Sequence, residues 1–153
     1  MKILNRQKGF TLLELLVVVA IIAILAAAII INLNRARAEA NDSRIQSDIR
    51  SISDAIQVYQ NSGSPAQDLV GTAQTNAQLA TVLQELTGSG SGDLLPSIPA
   101  HPASNQNYKY SASIDSNTGL LNYTLEGKLG AGADAGQCFT IKNGSPTTGS
   151  CSL

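Results

Sequence analysis

The chain has 153 residues, a formal net charge of −1 and no Trp. A near-neutral balance gives no electrostatic basis for binding nucleic acid, and the length suits one small domain plus an anchor. Eleven dispersed Asp and Glu and a single His offer no paired or clustered set for acid–base catalysis or metal binding.

Lys2, Arg6 and Lys8 precede a long apolar run, GFTLLELLVVVAIIAILAAAIII, from Gly9 to Ile31. After Glu14 the run carries no polar side chain until Asn32. Residues 10–31 are long enough to cross a hydrocarbon core of about 30 Å as a helix. The basic residues ahead of the run place the first eight residues in the cytoplasm and everything after it outside. Glu14 is the anomaly, because a carboxylate at the centre of a membrane helix costs roughly 2.5–3.5 kcal/mol on insertion scales.

The helical pattern continues beyond the run. No Gly or Pro interrupts residues 32–62, and Ile45, Ile49, Ile52, Ile56 and Tyr59 recur at spacings of three and four, which makes one apolar stripe. Arg44 with Asp48 and Arg50 with Asp54 are i,i+4 pairs on the polar side. Gly63 and Pro65 supply the stop. The reading is one helix over 10–62, roughly 80 Å long, with its amphipathic half packed on a globular head formed by 63–153.

In the head, 64–106 turns to Gly, Ser, Ala, Gln and Pro. Leu79, Val82, Leu83 and Leu86 fit a short helix capped by Thr75 and Gln78, Gly88–Gly92 reads as a flexible link, and Leu94–Pro102 is too proline-rich for regular structure. Strand signals fill 107–142. Tyr108, Tyr110, Ala112 and Ile114 alternate with polar residues, and Leu121, Tyr123 and Leu125 alternate with Asn122, Thr124 and Glu126. Asp115–Gly119 is the turn between them. Cys138–Lys142 is a third strand, followed by Asn143-Gly144 and a loop to Cys151. The fold class is α+β, a long helix against a small antiparallel sheet. In an exported chain Cys138 and Cys151 are expected to form a disulfide, stabilising the end of the chain by about 3 kcal/mol.

Residues with chemical potential are few. His101, in IPAHPAS, reads as a surface loop residue. Gly130–Gly136 reads as a turn between strands, since no Gly-Lys-Ser/Thr context supports a phosphate cradle. Asp134 alone is weak support for a calcium site, and the triplets starting at Asn41 and Asn122 match a glycosylation pattern that arises often by chance. No catalytic residue, cofactor or metal is expected.

Three readings compete for the N-terminus. A secretory signal peptide would be cut after Ala36-Arg37-Ala38, but the apolar run is twice the usual length and contains Glu14. A plain signal anchor would keep Glu14 hydrated near the interface, yet it gives no cause for the order Lys-Gly-Phe-Thr-Leu-Leu-Glu. That order, KGFTLLELLVVVAIIAIL, resembles the N-terminus of type IV pilins and type II secretion pseudopilins over about 25 residues. The resemblance implies a leader, Met1–Gly9, removed by a prepilin peptidase between Gly9 and Phe10, and N-methylation of Phe10. It also implies that Glu14 pairs with the Phe10 ammonium of a neighbouring subunit when the chain leaves the membrane for a helical filament. The partners it implies are further copies of the chain, minor pilins, an assembly ATPase and a membrane platform protein, with no nucleotide bound by this chain. The subunit would wait in the inner membrane with its N-terminus in the cytoplasm and end in an extracellular pilus, or alternatively in a secretion pseudopilus. Cleavage would take the formal charge from −1 to about −4. Major pilins often carry Pro where this chain has Ile31, so an uninterrupted helix is expected here, with Asn32 and Asn34 its weakest formers.

Overall fold

A computed structural model describes residues 9–88, 94–131 and 134–153. The chain divides into two compact units, a stem ending at Arg37 and a head spanning Ala38–Leu153.

Helix α1, Leu12–Asn61, runs without a break through the position of Ile31. With no Pro in its 50 residues, nothing removes an internal hydrogen bond. Its N-terminal half is apolar enough to cross a membrane. It ends where Gly63 takes φ +81°, and the Ser62 N–H donates back to the carbonyls of Val58 and Tyr59, a helix end that favours Gly. Of the two expected ion pairs, Arg44 and Asp48 meet at 3.6 Å. Arg50 instead places its guanidinium carbon 5.4 Å from the centroid of the Phe139 ring, a cation–π contact.

The head carries a five-stranded antiparallel sheet in sequential order: β1 Gly71–Ala73, β2 Lys109–Ile114, β3 Leu121–Lys128, β4 Cys138–Lys142 and β5 Ser145–Gly149. A short helix, α2 Asn76–Val82, precedes β2 and has the full capping box. Thr75 accepts from the Gln78 N–H, and the Gln78 side chain accepts from the Thr75 N–H. The sheet is larger than the sequence suggests at both edges. β1 is three residues with little apolar pattern, and β5, read as loop, is the polar run Ser145–Gly149. Backbone pairing of Ser145 with Lys142 and of Gly149 with Cys138 makes β5 a strand, and its Pro146 is tolerated because edge strands need not donate on both sides.

The core lies between the C-terminal half of α1 and the sheet. Ile49, Ile52 and Ile56 are fully buried with Tyr110 and Leu125. The approach is closest at Gly127, where an added Cβ would meet Ile45 and Ile49 at 2.7 Å and Tyr108 at 2.9 Å. Buried tyrosines are satisfied across this layer: Tyr108 donates to Asp48 at 2.8 Å, Tyr110 to the Leu69 carbonyl at 2.8 Å, and Tyr123 shares a 2.8 Å bond with Ser53. Burial and the Asp48 carboxylate push the Tyr108 hydroxyl far above its ordinary pKa.

Two positions correct the sequence reading. Glu126, one of the residues that alternate with the apolar ones along β3, is 1% exposed. The chain end covers it: Glu126 accepts from the Ser152 hydroxyl and N–H, from the Leu153 N–H at 3.0 Å, and from Thr140. His101, expected at the surface, is 7% exposed. Its loop packs over the end of β3, with the ring 5.1 Å from that of Tyr108. The Ala103 N–H donates to Nδ1, so Nε2 carries the hydrogen and donates to the Lys128 carbonyl.

Candidate functional site

At the start of α1, Thr11 and Glu14 form a second capping box. The Thr11 N–H and hydroxyl both donate to the Glu14 carboxylate at 2.9 Å, and the Glu14 N–H donates to the Thr11 hydroxyl at 3.2 Å. The Ser/Thr-x-x-Glu spacing is the signal that reveals this arrangement in the sequence. It explains a hydroxyl residue between Phe10 and the leucines, and it gives Glu14 a partner within its own chain. A carboxylate in the first turn also suits the positive end of the helix dipole.

Glu14 remains exposed, and Phe10 is 81% exposed. Gly9 adopts no left-handed conformation and nothing lies within 4 Å of where its Cβ would stand, so the fold itself does not require glycine there. Residues 1–8, most of the expected leader, lie outside the described residues. From Leu12 to Leu33 the stem's large apolar side chains, as far as described, are 46–86% exposed. A carboxylate anchored at the head of such a surface can accept a cation from outside, because Glu14 Oε2 takes both Thr11 bonds.

At the other end of the chain, Cys138 and Cys151 are joined by a disulfide. The loop between β3 and β4 is held from α1: both oxygens of Asp42 accept backbone N–H groups, from Gly130 and Ala131, at 2.8 Å. Sequence reading missed Asp42, since its partners lie 88 and 89 residues away. Asp134 stands in the same loop. Among the described residues no group of three or more His, Cys, Asp or Glu side chains converges. The Gly88–Gly92 link lies largely outside the described residues.

Residues 4–30 match the family described as the prokaryotic N-terminal methylation motif. The chain is 32% identical over 147 residues to the type II secretion system core protein G of Vibrio cholerae, covering 89% of this chain and 94% of that one. It is 29% identical over 134 residues to the core protein G of Aeromonas hydrophila, covering 86% and 92%. It is also 62% identical over 40 residues to the type IV wide pilus major component PilA4 of Thermus thermophilus, 26% of this chain and 30% of that one. No solved structure matches the chain. With an apolar helix opened by Gly9-Phe10 and Glu14, an antiparallel sheet laid on its distal half, and similarity along nearly the whole length, the chain belongs to the family of type IV pilins and type II secretion pseudopilins.

Proposed function

We propose that the chain is a structural subunit, without catalytic activity, that is cut between Gly9 and Phe10, methylated at Phe10 and polymerised through α1 into a filament on the cell surface. The observation that carries the polymer reading is the stem. Its exposed apolar side chains have two suitable surroundings, lipid before assembly and other stems afterwards. Glycine at position 9 has no role in the fold, and a small residue there leaves the scissile bond open to a peptidase. Once Phe10 is the terminus, its ammonium moves into an apolar bundle where an unpaired charge is costly. Glu14 of an adjacent copy neutralises it while keeping its own Thr11 bonds, which sets the axial register.

A surface pilus is the reading favoured by the disulfide-closed end and the lightly charged head. Similarity to core protein G along nearly the full length favours a secretion pseudopilus as the second reading. The pseudopilus reading gains if calcium raises the melting temperature of the head and chelator lowers it, and loses support if neither shifts it.

N-terminal mass spectrometry of the membrane-extracted chain tests the first step. A chain starting at methylated Phe10 is expected, and one starting at Met1 or Glu39 overturns the reading. Glu14→Ala should still be inserted and processed, with filament yield falling about tenfold or more. Normal filaments from that variant would reduce Glu14 to a helix cap.

A further inference from the structure

The head carries an apolar socket at one end of β3 and an apolar knob at the other. The socket is a cavity of about 360 Å³, floored by Ile45 and Leu129, walled by His101 and Pro102, and rimmed by Asn105 and Lys128. A dry apolar cavity of about 150 Å³ already admits benzene, so the space suffices for a large aliphatic side chain. Both ring nitrogens of His101 are engaged by the head's own backbone, and each oxygen of Asp42, which also faces the cavity, already accepts a backbone N–H. Lys128 is the exposed cation on the rim.

The knob is the β2–β3 turn. Val58 and Leu120 are the large apolar side chains exposed in the head among the described residues, and Leu120 is 63% exposed. The turn beneath it is stiff: the Asp115 carboxylate accepts the N–H groups of Asn117 and Thr118 at 2.8 and 3.0 Å, and Gly119 closes the turn at φ +70°. Between Asp115 and Leu120 the turn bears one acid and no cation, complementary to the rim at Lys128. Because β3 separates knob from socket, a chain cannot fill its own cavity with its own knob.

Resting on the filament reading above, we propose that the β2–β3 turn of one copy docks in the cavity of the next, with Leu120 on the Ile45–Leu129 floor and Asp115 against Lys128. Such a contact joins two different patches, so it propagates without closing. It gives the heads their own axial contact, separate from the one between stems.

The test is disulfide trapping in the full-length chain in its native cells. Both native cysteines are bonded to each other, so Leu120→Cys with Asn105→Cys introduces the two thiols available to pair. Both positions are exposed, and an unchanged melting temperature verifies that the head still folds. The expected result is a ladder of dimers, trimers and higher species without reductant, absent when Leu120→Cys is combined with Asp54→Cys on the exposed face of α1. Lys128→Asp should lower filament yield several-fold and Lys128→Arg should retain it, with the melting temperature of the head unchanged in both, and Asp115 stays in place because its carboxylate holds the turn. Wild-type filaments without a ladder, a product that stops at dimer, or full filament yield from Lys128→Asp would overturn this docking and leave the polymer intact. Absence of filaments from the wild type itself would overturn the polymer reading and the docking with it.

Discussion

Between Leu12 and Leu33 every large apolar side chain described is at least 46% exposed, whereas Ile49, Ile52 and Ile56 on the same helix are at 0%. The residue types and the secondary structure are alike, and only the surroundings differ. In the head the helix finds a sheet within its own chain, and burial of each large aliphatic contributes about 1.5–3 kcal/mol. In the stem that contribution must come from lipid or from other copies. One helix therefore has a half buried within its own chain and a half whose burial must come from outside it.

The sharpest way to break this contrast is to make one truncation in each half. Ile49→Ala should lower the stability of the head by about 2–5 kcal/mol, read as a fall in the melting temperature of the full chain in detergent by near-ultraviolet circular dichroism. Ile24→Ala should leave that temperature unchanged. Equal shifts would show that the two halves are one cooperative unit and that the contrast is false.

A smaller effect should follow from opening the far end of the head. Replacing both Cys138 and Cys151 by Ser removes a bridge that closes a short loop, at a loss of about 3 kcal/mol, and releases the edge pairing of β5. Loss of protection at the β4–β5 amides in hydrogen exchange, with the Ile49 region still protected, is the expected pattern. Uniform loss of protection would mean that β5 is integral to the core.

The elements built from near neighbours were legible in the sequence. The stripe from Ile45 to Tyr59, the Thr75–Gln78 capping box and the Asp115–Gly119 turn each depend on residues within a few positions, where periodicity and turn chemistry act. What escaped reading depends on partners far along the chain. Glu126 alternates as a solvent-facing strand residue, and the group that buries it lies 26 and 27 residues later at Ser152 and Leu153. His101 is held by the Lys128 carbonyl 27 residues away, and β5 has no apolar alternation because it exists through backbone pairing to β4. At the N-terminus the reverse occurred. The order around Glu14 is legible through resemblance, and its local cause, the capping box with Thr11, lies in the Thr-x-x-Glu spacing itself.

Burial pushes the Glu126 carboxyl up, but bonds from the Ser152 hydroxyl, the Leu153 and Ser152 N–H groups and Thr140 outweigh it and hold its pKa below the ordinary range. A carboxyl depressed in the folded state adds stability that is full above its unfolded pKa, about 4.3, and is lost as pH falls through the folded value. Glu126→Gln keeps the shape but offers an amide where the carboxylate accepted, and it no longer titrates. At neutral pH the wild type should melt above this variant. The gap should narrow as pH is lowered below about 4, because acid removes from the wild type what the substitution has already removed. A gap that stays constant or widens in acid would mean that the chain end is held by shape and by Lys109, which donates to the Leu153 carbonyl, and that the charge on Glu126 contributes nothing to the closure.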